Sequence, residues 1–170
     1  MYRRDNISTR SRIGILKKDG SIESIYCHFD GYLEGVGRKL YNYYQDYNKV
    51  KELIKLGDIE SLKEKIKPDL NSKDNVTIAY HRDLGDKLNK TKPMISNSLD
   101  EFNDILFDCW IGYIYLYDEK TNKWLWDNYS TEVSELDLKS LDEYFKDYKI
   151  DNNLNYSNDD YSINKKIGGI

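Results

Sequence analysis

The sequence predicts an α+β domain whose sheet is mostly antiparallel, with about five strands built from two hairpins and packed with three to five helices. Two observations support this prediction. Apolar and polar residues alternate on both sides of Asp19-Gly20, and again on both sides of residues 118–122, which is typical of β-hairpins. Between and after these hairpins, apolar residues recur every three or four positions, which is typical of helices that cover a sheet.

The first hairpin joins strands predicted at residues 12–17 and 21–28, because Asp19-Gly20 between them tolerates the positive φ of a tight turn. Three helices are predicted to follow, from apolar residues at helical spacing and from polar caps and breakers between them. They are residues 36–46, a helix from Asn48 to Gly57, and a short helix over 59–66 that ends before Pro68.

The second half of the chain predicts a short strand, a long polar loop, a helix, an aromatic hairpin and a last helix. The helix is predicted to begin at Ser98, because Ser98 and Glu101 have the spacing of a capping box. The polar loop is long enough to be functional. In chain order these elements are residues 76–80, 81–95, 98–106, 110–117 with 123–127, and 136–148.

Length and charge predict one domain with two polar ends. The chain has 170 residues, enough for a single core, and its 16 tyrosines supply apolar ring area. We predict a flexible basic N-terminus over residues 1–10, a single α+β domain over 11–148, and a polar, flexible tail over 149–170.

Composition favours a cytoplasmic protein and disfavours two classes of partner. Cys27 and Cys109 are the only cysteines and form no CxxC motif, which fits a reducing compartment. Basic residues form no stripe after residue 18, so binding to duplex nucleic acid through its phosphates is disfavoured. No apolar run approaches the roughly 20 residues of a membrane span, so no membrane partner is predicted.

The run 24–38 combines reactive and hydrogen-bonding side chains with three glycines at a predicted strand-to-helix turn. Glycine lets a ligand approach the backbone, and a helix N-terminus offers free N–H groups, so this turn is a candidate ligand site. The tetrapeptide 80–83 either completes a pocket with it or is a charged strand end. The candidate ligand-binding residues are His28, Asp30, Gly31, Tyr32, Glu34, Gly35, Gly37, Arg38, Tyr80, His81, Arg82 and Asp83.

Each candidate also has a structural interpretation. Adjacent strand residues point to opposite faces, so Cys27 and His28 are not expected to act as nucleophile and base, and Cys27 is expected to be buried. The candidate set contains two His-x-Asp segments, at residues 28–30 and 81–83. They either hold a metal or stabilise turns. Arg38 either binds a phosphate or pairs with Glu34 or Asp30. We therefore assign no catalytic residue, no metal and no cofactor.

Residues 10–32 read RSRIGILKKDGSIESIYCHFDGY, and the pattern continues through Glu34, Gly37, Arg38 and Leu40. This sequence resembles a family of small phage and prophage proteins with the motif RSRIG…DGSI.SIYCHWDGY.E..GR.L. The similarity extends to about residue 127, with Phe29 where the family has Trp and Leu33 where it has Pro. The resemblance implies a phage or mobile-element origin and a role in the contest between phage and host. It transfers no catalytic residue.

Three functional hypotheses follow. The first is a phage-encoded counter-defence protein, similar to anti-CRISPR proteins, that binds and inhibits a host immune protein in the host cytoplasm. Tyrosine-rich and acidic surfaces suit such a contact with a basic partner. The first alternative is a small-ligand binder that sequesters a nucleotide signal at the glycine-rich turn 30–38. The second alternative is a metal-dependent hydrolase that uses both His-x-Asp segments.

Overall fold

The computed structural model describes residues 8–106, 109–129 and 135–146, which form an α+β fold around one mixed sheet. The eight strands of the sheet are β1 (Ser11–Leu16), β2 (Ile22–Cys27), β3 (Ile59–Ser61), β4 (Ile78–Ala79), β5 (Met94–Ser96), β6 (Tyr113–Asp118), β7 (Lys123–Asn128) and β8 (Lys139–Ser140). The helical elements are a π-helical turn (Leu33–Gly37), α1 (Arg38–Tyr43), α2 (Tyr47–Lys55), α3 (Tyr80–Leu84), α4 (Leu88–Thr91) and α5 (Leu99–Leu106). Residues 141–146 are also helical.

Two hairpins form the centre of the sheet. Strand β1 pairs antiparallel with β2, and β6 pairs antiparallel with β7. The hairpins meet along the parallel pair β1–β6, in which Ser11 lies opposite Tyr113 and Leu16 lies opposite Asp118. The strand order is β4-β3-β2-β1-β6-β7-β8, with β5 also on β2. Between the named strands, β1–β6 and β2–β3 are the parallel pairs and the other described ladders are antiparallel, so the predicted α+β class with a mostly antiparallel sheet is confirmed.

Helices cover both faces of this sheet. On the face that we call the first face, side chains of the two hairpins pack against α1, α2 and the helical residues 141–146. This core includes Ile13, Tyr115, Leu40, Leu53 and Phe145. On the opposite face, called the second face, the strands pack against α5. That core includes Ile22, Ile114, Leu116, Phe102 and Leu106.

The predicted counts of strands and helices are wrong, because several elements are too short to leave a periodic pattern in the sequence. Strands β3, β4, β5 and β8 have only two or three residues each, and α3 and α4 have five and four. The stretch 81–95, predicted as a loop, holds most of α3, all of α4 and the start of β5. The predicted helix over 59–66 is wrong as well, since residues 59–61 form a strand between β2 and β4.

The helices after the glycine-rich turn are close to the prediction, but their boundaries differ. The predicted helix 36–46 is split between the end of the π-helical turn and α1. The N-cap of α2 is Asp46, whose carboxylate accepts a hydrogen bond from the Lys49 N–H at 3.0 Å, and not Asn48. An aspartate is an equally good acceptor for this role, so the sequence did not distinguish the two caps.

The last predicted helix, 136–148, begins later than expected. Residues 139–140 pair with β7 as β8, and the helix occupies 141–146. Residues 147–148 of the prediction lie outside the described residues, as do residues 1–7 and the predicted tail. No described helix has the length and apolarity needed to cross a membrane.

Candidate functional site

The glycines of the candidate turn lie against other parts of the chain. The Gly31 N–H donates to the Thr9 carbonyl at 2.7 Å, and a Cβ at Gly31 would also lie 2.7 Å from that oxygen. A Cβ at Gly35 would overlap the carbonyl oxygen of Asp30, and one at Gly37 would lie 3.2 Å from the Tyr115 ring. Close packing against backbone atoms therefore requires glycine at 31 and 35 whether or not a ligand binds there, and at Gly37 a side chain would have to displace the Tyr115 ring slightly.

Arg38, the basic residue of this turn, is engaged by a neighbour. Its Nε and Nη2 donate to the two carboxylate oxygens of Glu34 at 2.6 and 3.0 Å. Its guanidinium also lies 4.5 Å from the centre of the Phe145 ring. The structure thus contains the predicted Arg38–Glu34 pair, and an anion at the turn would compete with that carboxylate. Ligand binding at the turn stays a prediction.

The tetrapeptide 80–83 connects parts of the chain at the edge of the sheet. Arg82 donates to the carbonyl oxygens of Ile66 and Thr77, both at 2.6 Å. The Asp83 carboxylate accepts the Ala79 N–H at 2.8 Å, which caps the start of α3, and it also pairs with Arg82. These contacts give both charged side chains a structural role.

The two histidines make separate contacts. His81 Nδ1 lies 2.7 Å from the Asp86 carbonyl oxygen. His28 Nδ1 lies 2.7 Å from the Tyr26 hydroxyl, and its Nε2 lies 3.5 Å from Ser8 Oγ. Within residues 8–106, 109–129 and 135–146, no three His, Cys, Asp or Glu side chains are grouped as metal ligands. The metal site stays an alternative that these contacts do not favour.

Cys27 is buried, as predicted. Burial raises the pKa of its thiol to about 12, so it carries almost no thiolate at neutral pH. Its Sγ lies 3.5 Å from the Phe29 carbonyl oxygen. This environment is typical of a packing residue and not of a nucleophile.

A different set of polar residues, which we call the polar patch, consists of Arg12, Ser24, Tyr26 and His28 on the second face of the sheet and Asp58, which reaches the Tyr26 N–H from the bend before β3. Arg12 lies opposite Tyr26 in the β1–β2 ladder, so both side chains point to this face. His28 follows at the same parity and bonds to the Tyr26 hydroxyl. Of these five residues, the sequence singled out His28 alone as a ligand-binding candidate.

Arg12 is the least expected member of the polar patch. Its exposed fraction is 8 %, and its guanidinium donates from Nε to Ser24 Oγ at 2.8 Å and from Nη2 to the Ser24 carbonyl at 3.3 Å. Burial lowers the pKa of Arg12, while the charge of Asp58 opposes that change. No ion pair joins Arg12 to any described carboxylate.

Asp58 provides the negative charge near Arg12. Its Oδ1 accepts the backbone N–H of Tyr26 at 2.8 Å. Burial raises the pKa of Asp58, and the hydrogen bond to Tyr26 and the charge of Arg12 act in the opposite direction. Burial also raises the pKa of Tyr26, against the influence of Arg10.

Three exposed aromatic residues lie at one end of the sheet, and we call them the aromatic end: Phe29, Tyr32 and Trp110. Their exposed fractions are 40, 43 and 81 %. The loops that carry them flank the chain that enters β1, because Thr9 O accepts the Gly31 N–H at 2.7 Å and Arg10 O accepts the Gly112 N–H at 2.9 Å. The sequence predicted Tyr32 as a site residue and missed Trp110.

The comparisons with known proteins gave no relative: no protein-family model, curated protein or solved structure matches this chain. The resemblance to small phage and prophage proteins therefore stays a prediction. Any function must be argued from the residues themselves.

Proposed function

We propose that the protein is a phage-encoded counter-defence factor of the anti-CRISPR kind, which binds a host immune protein in the host cytoplasm and inhibits it by direct contact. The observation that supports contact with a partner is the aromatic end, where three large side chains remain exposed on neighbouring loops. The resemblance of residues 10–127 supports the phage origin and a role in the contest between phage and host.

Trp110 is the strongest single element of this argument. Its side chain is 81 % exposed, and its backbone has φ of 52°, a left-handed conformation that is unfavourable for a bulky residue. Backbone strain of this kind clusters at functional sites. Tryptophan and tyrosine also dominate the residues that contribute most to protein–protein affinity.

Charge supports the same kind of partner. The chain has a formal net charge of −4, so a basic surface would attract it over distances comparable to the Debye length. Proteins that bind nucleic acid, including many immune effectors, present such surfaces. Complementary charge would speed the encounter, and the aromatic end would supply the contact area.

The proposal is tested by plating a phage on a bacterial host whose CRISPR immunity targets that phage, with and without expression of this protein. We expect expression to restore plaque formation, and the double variant Phe29→Ala/Trp110→Ala to lose that effect. Tyr43→Ala is the matched control, because Tyr43 is 41 % exposed but belongs to α1.

Two results would contradict the proposal. One is a failure to restore plaques in hosts that carry each of the main CRISPR types, with the protein shown to be folded and expressed. The other is equal protection by the control and the double variant, which would exclude the aromatic end as the contact. Melting curves of the purified variants separate loss of contact from loss of folding.

A further inference from the structure

We infer that the polar patch on the second face binds the phosphate group of a small molecule through the guanidinium of Arg12. This inference goes beyond the proposed contact with a host protein, because it concerns different side chains and a different class of ligand. It also assigns anion binding to Arg12 and not to Arg38 of the glycine-rich turn, which already has a carboxylate partner.

The first argument is the incomplete pairing of a buried charge. Arg12 has an exposed fraction of 8 %, and no described carboxylate lies within ion-pair distance of it. Removing a charged group from water without a counterion is costly, so buried charges in proteins are normally paired. Asp58 acts on Arg12 electrostatically but forms no ion pair with it, so a bound anion would supply a direct partner.

The second argument is geometric. Ser24 accepts hydrogen bonds from Nε at 2.8 Å and from Nη2 at 3.3 Å, and these two bonds fix the plane of the Arg12 guanidinium. Nη1 donates to no described residue, and Nη2 has a second N–H. The end of the guanidinium is therefore a fixed pair of donors, and this fork matches two oxygens of a phosphate.

The third argument is the charge of the surroundings. Arg10 precedes Arg12 by two residues, and its charge influences the Tyr26 phenol. Two arginines favour an anion with more than one negative charge over a single carboxylate.

Asp58 gives the inference its sharpest test. Its carboxylate is fixed by the Tyr26 N–H and acts electrostatically on Arg12, so it opposes a second anion in the patch. Asparagine at this position retains an oxygen that can accept the same hydrogen bond, but it has no charge. Asp58→Asn is thus expected to strengthen anion binding, a gain that damage to the fold would not produce.

The experiment is isothermal titration calorimetry of the full chain with inorganic pyrophosphate, ADP and acetate at low ionic strength. We expect one site for pyrophosphate, little binding of acetate, and weaker affinity as salt is added. Arg12→Gln should reduce the affinity at least about tenfold and Arg10→Gln several-fold, since each removes a charge-assisted contact. Asp58→Asn should increase it several-fold.

Arg38→Gln is the matched control and should bind as the wild type does. The inference is overturned if pyrophosphate and ADP both fail to bind, if acetate binds equally well, or if Arg38→Gln abolishes binding while Arg10→Gln does not. Binding of ADP but not of pyrophosphate would support the site and assign part of the affinity to the nucleoside. Circular dichroism of each variant checks the fold. If Arg12→Gln does not fold, the affinities of Arg10→Gln and Asp58→Asn provide the test instead.

Discussion

The carboxylate of Asp58 accepts a hydrogen bond of 2.8 Å from the backbone N–H of Tyr26, at the point where β2 changes its neighbour. Residues 22–24 of β2 pair with β5, and Cys27 pairs with β3. The Asp58 side chain thus fills a gap in the ladder that neither strand reaches. An unpaired N–H at this position would be costly, because buried backbone groups need partners.

Asp58→Ala is therefore expected to destabilise the fold, and Asp58→Asn much less so. Alanine leaves the Tyr26 N–H without its acceptor, which costs about 1–3 kcal/mol for a buried donor. Unfolding in urea, followed by circular dichroism, measures the difference. Asp74→Ala is the control, because Asp74 is an exposed loop carboxylate. Equal midpoints for Asp58→Ala and Asp74→Ala would refute the role of this bond.

The raised pKa of Asp58 also predicts a pH dependence. Burial raises the folded-state pKa above the unfolded value, so Asp58 contributes stability fully below the unfolded pKa, which is about 3.9, and that contribution is lost as pH rises through the folded pKa. Relative to Asp58→Asn, the wild type should therefore lose free energy of unfolding as pH rises from the unfolded pKa of Asp58 to its folded pKa. Parallel unfolding free energies of the two proteins from pH 3.5 to 7 would contradict the assignment.

Local signals explain why much of the sheet could be predicted. Asp19-Gly20 and the alternation around it define the β1–β2 hairpin within one segment of sequence, and the aromatic alternation does the same for β6–β7. The parallel pairing of Ser11 with Tyr113 joins distant segments, and nothing in either strand specifies it. Strand β3 was mistaken for a helix because Ile59, Leu62 and Ile66 also fit helical spacing.

The site shows the same division between local and distant causes. The pair of Glu34 with Arg38 is four residues apart, and the sequence offered it as an alternative to ligand binding. Arg12 lies between Ser11 and Ile13 in an alternating strand, where an arginine next to a core isoleucine is normally expected to face solvent. Its burial depends on distant neighbours, including Asp58, so the sequence pointed to His28 of the polar patch but carried no signal for Arg12.

Arg82 is expected to matter for stability more than an ordinary surface arginine. It joins the carbonyl oxygens of Ile66 and Thr77 to the first turn of α3. Arg82→Ala should cost about 1–3 kcal/mol, because it leaves two partly buried acceptors without this donor. Arg82→Lys should recover only part of this, since one ammonium group lacks the fixed fork of donors.

The comparison for Arg82 is Arg38→Ala. The side chains of Arg38 and Glu34 are both partly exposed, and surface pairs of this kind contribute about 0–1 kcal/mol. Thermal and urea unfolding should therefore show that Arg82→Ala is less stable than both Arg82→Lys and Arg38→Ala. If Arg38→Ala were equally destabilised, the fork of Arg82 would have no special role in joining these segments.

The two cysteines should differ in their reactivity toward a thiol reagent such as dithionitrobenzoate. Burial raises the pKa of Cys27 to about 12, whereas Cys109 is only half-buried. The native protein is expected to react at one thiol within minutes and to show the second only after urea is added, because the reagent needs an accessible thiolate. Cys109→Ser should react only when unfolded, and Cys27→Ser should react like the native protein. Fast reaction of native Cys109→Ser would show that the core around β2 opens readily, contrary to its close packing.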